Sequence, residues 1–217
     1  MRNMLKKEMK LSASILSYLF IAFGFMTLIP GYPILCGAFF TTLGLFQTFQ
    51  SMRENNDTVY SALLPVSKSS VVRGRYAFVV FIEMCSFAIM VAMTLLRMTA
   101  FANSAVYRAN ALMNANLVFL GFALLIFGCF NSIFVAGFYK TAFYFGKPFV
   151  IHIIVTFIIV FLAEALHHVP GLEVVNAFGF DYIGLQLAFF IAGAAAFILL
   201  TVLSMKRSDK NFERIDL

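Results

Sequence analysis

Three groups of residues in this chain have the types and spacing to do chemistry. Glu164-Ala165-Leu166-His167-His168 sets a carboxylate and two imidazoles at i, i+3 and i+4, a spacing that brings side chains onto one helical face and is compatible with metal ligation. The order is not that of a zinc-protease HExxH motif and no fourth ligand stands nearby, so the expectation is a hydrated cluster at the end of an apolar segment, with no metal. Glu83 is a lone carboxylate eight residues beyond Arg75, about 12 Å along a helix at roughly 1.5 Å per residue, and so within apolar sequence. An ionisable group at that depth costs at least about 2.5 kcal/mol unless it faces protein or water. It either lines a path for substrate or protons, or is satisfied by polar groups such as Gln47 or Asn131.

The third group is the stretch from Arg53 to Tyr76, the one long polar interruption in the N-terminal half. Asn55, Asn56 and Asp57 are helix-capping types, and Val59, Tyr60, Leu63 and Leu64 behind them form one apolar stripe of a short helix. Pro65 ends it, because proline lacks the backbone donor and biases Leu64 toward extended geometry. Ser67 or Ser69 then caps a second helix that runs into apolar sequence. This pattern predicts a short amphipathic helix against a membrane, presenting one face to a partner.

These groups are carried by a chain that is 62% hydrophobic and 12% charged, with a mean hydropathy of +0.91. An ordinary globular domain is about 45–50% apolar and about 25% charged, so the composition is that of an integral membrane protein. Counting apolar runs of about 20 residues between charged clusters predicts six transmembrane helices, at about 12–29, 34–51, 76–96, 117–138, 149–166 and 183–205. The first two fold back at Pro30-Gly31-Tyr32-Pro33, and the loop 53–75 lies between spans two and three. The expected architecture is a single all-α polytopic domain over 1–217, preceded by a short basic interfacial helix in which Met1, Leu5 and Met9 alternate with Arg2, Lys6, Lys7 and Lys10. The N-terminal apolar run imitates a signal peptide without a small-residue cleavage signature, and is expected to be retained.

With both termini on one side, only Arg97 and Arg108 fall on the other, which predicts cytoplasmic termini. The net charge of +6 is then a matter of membrane orientation and gives no support to nucleic-acid binding. Cys36, Cys85 and Cys129 fall inside expected spans without paired spacing, and read as core residues. The glycines of the spans, Gly24, Gly37, Gly44, Gly121 and Gly128, mark close helix packing, internal or between subunits. Phenylalanine, with 28 residues, and methionine, with 11, supply either adaptable apolar walls or lipid-facing surface. Between spans four and five, Tyr139, Phe143, Tyr144 and Phe145 beside Lys140 and Lys147 form either an interfacial aromatic belt or a second contact surface. No phosphate-binding GxxxxGK[ST] loop, GxGxxG turn or GxSxG elbow is present, so any energy for the chain's work comes from a partner.

The stretch 53–76 resembles the first cytoplasmic loop of type-two ABC transporter permeases, in particular a compact bacterial six-span branch. The matching residues are Glu54 and Asp57, then Leu64-Pro65-Val66-Ser67-Lys68, then Val71-Val72-Arg73-Gly74-Arg75-Tyr76. The acidic element departs from the family's tighter Asp-Glu-Lys run. The resemblance implies that the loop is a coupling helix set into a groove of a separate ATPase subunit. It assigns docking to Glu54, Asp57, Tyr60, Leu64, Pro65 and Ser67, and the link into span three to Arg73, Arg75 and Tyr76. It further implies no cofactor on this chain, ATP and Mg on the partner ATPase, a second permease chain as homo- or heterodimer, and a multi-pass location in a bacterial plasma membrane. The lack of an extracellular domain is similar to exporters of phenol-soluble modulins and antimicrobial peptides, which implies an amphipathic peptide cargo. Other readings are a self-immunity exporter, a proton-coupled secondary transporter using Glu83, and a non-transporting membrane scaffold.

Overall fold

The computed structural model describes residues 2–63, 65–141 and 144–215, and among them every regular element is a helix. In chain order these are α1 (Arg2–Lys7), α2 (Ile15–Leu19), α3 (Cys36–Glu54), α4 (Asp57–Leu63), α5 (Lys68–Thr99), α6 (Ala105–Arg108), α7 (Leu117–Cys129), α8 (Ala136–Phe138), α9 (Gly146–Leu166) and α10 (Ile183–Glu213). Among the described residues, four continuous helices are long and apolar enough to cross a membrane: α5, the run Leu117–Phe138, α9 and α10. The segments Met4–Ser12 and Ile15–Leu28 become a fifth if counted as one broken span. Helix α3 has 19 residues, but Thr41, Thr42, Gln47, Thr48 and Gln50 dilute its apolar character.

The N-terminal apolar run is not one regular helix. A π-helical turn over Glu8–Ser12 continues α1, and a bend of 101° separates it from α2. The chain is extended at Ala13 and Ser14, where the Ser14 hydroxyl caps α2 and the Ser14 N–H donates to Thr48 Oγ1 at 3.0 Å. From Phe20 to Leu28 the helix is 3-10. That form rises about 2.0 Å per residue against 1.5 Å for an α-helix, so the 14 residues from Ile15 to Leu28 reach about 25 Å, nearly a hydrocarbon thickness. Gly24 makes the close approach to α5: a Cβ there would lie 2.9 Å from both Ile89 Cβ and the Ser86 carbonyl.

The run Leu117–Phe138 also departs from α geometry, through a π turn at Phe130–Val135 that carries Asn131. Asn116 starts the run by accepting the N–H groups of Val118 and Phe119. Helix α10 packs along α7 at Gly121 and Gly193, whose backbones meet without room for a side chain. These glycines therefore serve packing inside the chain.

Part of the phenylalanine packs the interior of the chain. Phe49, Phe78, Phe130, Phe134, Phe138 and Phe212 are fully buried in the half of the core toward the chain termini, and Phe119 and Phe127 in the other half. Phe46 stacks on Phe149 at 3.8 Å between centroids, and Phe49 meets Phe134 edge-on at 5.0 Å. Large apolar side chains remain exposed on α9, such as Ile154, Ile158 and Phe161, and on α10, such as Ile191, Ile198 and Leu203. In water such faces would aggregate; in a bilayer they are the solvent-compatible surface.

Candidate functional site

The short helix α4 follows α3 after a two-residue break in which Asn56 takes a left-handed conformation, φ 52°, that asparagine tolerates better than most residues. Its first residue, Asp57, lies in a buried cluster of four charges drawn from three elements. Lys7 Nζ donates to the two Asp57 oxygens at 2.6 and 2.8 Å and to Ser61 Oγ at 2.6 Å. Arg75 Nη2 donates to Asp57 Oδ2 at 2.9 Å and to Glu8 Oε1 at 3.2 Å, and its Nε forms an ion pair with Glu8 Oε2 at 2.6 Å. Ser12 Oγ adds a hydrogen bond to Asp57 Oδ1 at 3.2 Å.

The cluster is largely buried and balanced in charge: the Arg75 and Glu8 side chains are 1% and 0% exposed, those of Lys7 and Asp57 10% and 11%. Two cations meet two carboxylates, the condition under which charges tolerate burial. Burial pushes the Asp57 carboxyl up, but the Arg75 guanidinium and the Lys7 ammonium outweigh it and hold the group below the ordinary carboxylate range. The result is a charged lock that ties α1 and its π turn, α4 and the start of α5 into one body.

The residues singled out in the loop therefore divide. Asp57, Arg75 and Tyr76 are buried inside the chain, and the Tyr76 hydroxyl lies 2.9 Å from Ser208 Oγ on α10. Arg73 pairs with Asp209 on α10 at 3.5 Å while remaining 57% exposed. Ser67 caps α5 by accepting from Ser70 N. Glu54, Tyr60, Pro65 and Ser67 are exposed, Tyr60 at 55%. Leu64 lies outside the described residues. Leu63 at 79% and Val66 at 40% extend the exposed apolar surface, and a cavity of about 260 Å³ at the start of α4 is lined by Leu11, Ser12, Met52, Asn55, Asp57 and Tyr60. Sequence reasoning missed Lys7, Glu8, Ser12 and Ser61. The available signal was Glu8 itself, the one acid in an otherwise basic N-terminal stretch.

Arg53 sits over the Phe145 ring at 5.2 Å and Lys68 donates to the Ile215 carbonyl at 2.6 Å, so the N-terminal helix, the 53–76 loop, the 140s loop and the C-terminal end share one basic end of the bundle. Arg97 is at the opposite end, bonded to the Thr27 carbonyl at 3.0 Å and Asn114 Oδ1 at 2.8 Å.

Glu83 is fully buried at mid-bundle, where Asn131 Nδ2 donates to its Oε2 at 3.0 Å and also to Thr201 Oγ1 at 3.0 Å. Of the two partners considered from sequence, Asn131 is the one hydrogen-bonded to it. Three helices thus meet at one polar node, with the π turn placing Asn131 in it. Glu164 Oε2 accepts the Met113 N–H at 2.6 Å and His167 Nε2 lies 3.0 Å from the Ala111 carbonyl, so these side chains pin the 109–116 loop. No group of three or more metal-ligating side chains occurs among the described residues.

A bundle of apolar helices with a buried charged lock at one end and a short, half-exposed helix beside it is the architecture of a multi-pass membrane protein. The family model described as "ABC-2 family transporter protein" matches residues 3–213, nearly the whole chain, and the chain belongs to that family. Membership makes it a transmembrane permease component of an ABC transporter, a generally non-catalytic part, and implies association with an ABC ATPase subunit. No curated protein and no solved structure matches the chain.

Proposed function

We propose that this chain is the permease subunit of an ATP-driven exporter of amphipathic peptides in a bacterial plasma membrane. It crosses the membrane six times, with α3 and the bent N-terminal run as spans beside the four apolar helices, and both termini are cytoplasmic. The clustering of basic residues at one end and of Arg97 and Arg108 away from it supports that orientation. The observation that carries the reading is α4, whose inner side is held by Asp57 while Tyr60 and Leu63 stand exposed. Tyr60, Leu63, Pro65 and Val66, with Glu54 and Ser67 at the margin, form the surface that enters a groove of the ATPase subunit. ATP and Mg bind on that subunit and none on this chain. Two permease chains, identical or different, enclose the path. When ATP closes the two ATPases, each moves α4, and the Asp57–Arg75 contact passes the movement to α5.

The test is co-expression of the chain with its ATPase subunit and purification in mild detergent. Tyr60→Asp is expected to abolish ATPase co-purification while leaving the melting temperature of the chain unchanged, because an exposed substitution shifts stability by about 0.5 kcal/mol or less. A Tyr60→Asp chain that keeps its ATPase removes the docking surface proposed for α4. Glu83 supports a second reading, a proton-coupled transporter, because it is a buried carboxylate at mid-bundle. Glu83→Gln keeps an acceptor for Asn131, so the ATP-driven reading expects export to persist in that variant and the proton-coupled reading expects it to stop.

A further inference from the structure

At the basic end of the bundle, a cavity of about 420 Å³ with no α4 residue in its wall opens between the π turn and α8, the start of α9 and the last turns of α10. Lys140, Lys147 and Arg207 line it, no acidic residue does, and none of the three has an ion-pair partner among the described residues. Other cations at this end are engaged: Lys7 and Arg75 in the lock, Arg73 by Asp209, Lys68 by the Ile215 carbonyl, Arg53 over the Phe145 ring. Three like charges converging on one cavity repel one another and create a site for an anion.

The rest of the wall is apolar. Ile133, Pro148 and Ile151 line it, and Ile151 continues into the exposed α9 face that carries Val150 and Ile154. Gly137 lets Pro148 approach, since a Cβ there would lie 2.7 Å from Pro148 Cβ, and this contact holds the turns bearing Lys140 and Lys147 beside each other. A soluble anion would use only the polar half of such a site. We infer that the cavity binds the phosphodiester headgroup of an anionic membrane phospholipid, with Lys140, Lys147 and Arg207 on the phosphate and the acyl chains along Ile151 and the α9 face. Basic pockets between helices at a membrane surface suit this class of ligand. The site would make activity depend on bilayer composition whatever the cargo.

Mass spectrometry of the intact full-length chain tests this, in mild detergent with equimolar phosphatidylglycerol and phosphatidylcholine of matched acyl chains. The wild type is expected to retain phosphatidylglycerol preferentially. Lys140→Gln/Lys147→Gln/Arg207→Gln should weaken that retention about tenfold or more. Lys6→Gln/Lys206→Gln/Lys210→Gln, which removes the same charge from exposed positions at the same end, should leave it intact. Equal retention by wild type and the pocket variant overturns the proposal, as does equal loss in both variants, which would mean diffuse attraction only. Displacement of the lipid by equimolar inorganic phosphate overturns it in favour of a free-anion site.

Discussion

The two ends of the bundle are closed by different chemistry. At the basic end, four largely buried charged side chains pair across elements that are 50 and 67 residues apart in sequence. At the opposite end the closure is mostly made by amides on backbone groups. Asn116 Nδ2 donates to the Val175 and Ala177 carbonyls at 3.0 and 3.2 Å, Asn114 Nδ2 to Ala177 at 3.3 Å, and Gln186 Nε2 to Asp181 O at 2.7 Å. The asparagine hydrogen bonds span similar lengths of chain, 59 to 63 residues, but each is individually modest, about 0.5–1.5 kcal/mol. A buried ion cluster is different: its members are strongly interdependent, because losing one leaves an uncompensated charge in a dry site. The basic end is thus one interdependent unit, whereas contacts at the other end can be lost one at a time.

The largest effect is expected at Arg75. Arg75→Gln leaves the Glu8 and Asp57 carboxylates to share Lys7 as their one cation, a loss of about 3–5 kcal/mol, visible as a lower melting temperature in detergent and poorer accumulation in membranes. Adding Glu8→Gln restores one cation to one carboxylate, so the double variant should be more stable than Arg75→Gln alone. If Arg75→Gln melts with the wild type, the lock is not a structural element and the contrast between the two ends fails.

Asn116→Ala should be smaller, about 1–3 kcal/mol, from the lost cap of α7 and the two released carbonyls. Its signature is local: faster amide hydrogen exchange at the start of α7 and around Val175–Ala177, with retention of the ATPase subunit unchanged. Loss of the ATPase in this variant would show that the ends are energetically coupled.

The contrast was only half legible in the sequence. Apolar runs of about 20 residues announce membrane helices because lipid imposes that length, and Pro65 with Ser67 announces a helix break and a new cap because proline and serine act locally. The family was legible for the same reason, since the 53–76 pattern is contiguous. Asp57, Arg75 and Tyr76 were also conspicuous, but their inward direction depends on what packs against them. Lys7 reaches Asp57 across 50 residues of chain, and a π turn shifts the register of Glu8–Ser12, so no periodicity within α1 places Glu8 opposite Arg75. The 3-10 stretch at Phe20–Leu28 was hidden too, because tight packing against α5 at Gly24 accompanies it and intrinsic propensity does not announce it.

The smallest effect, and the one that sharpens the comparison most, is the response to acid. Asp57 is held below the ordinary carboxylate range, so its pairing with Lys7 and Arg75 is complete at neutral pH. A depressed carboxyl contributes stability that is present above its unfolded value, about 3.9, and is lost as pH falls through its folded value. The melting temperature of the purified chain should therefore carry an Asp57 contribution that is flat from pH 7 to about 5 and declines below about 4. Asp57→Asn cannot titrate and should start lower at pH 7, because Lys7 and Arg75 lose a countercharge, and the gap from wild type should narrow in acid. A gap that stays constant down to about pH 3 would mean that Asp57 acts by shape and hydrogen bonding alone. The basic end would then be closed by the same kind of contact as the opposite end, and its interdependence would need a source other than charge.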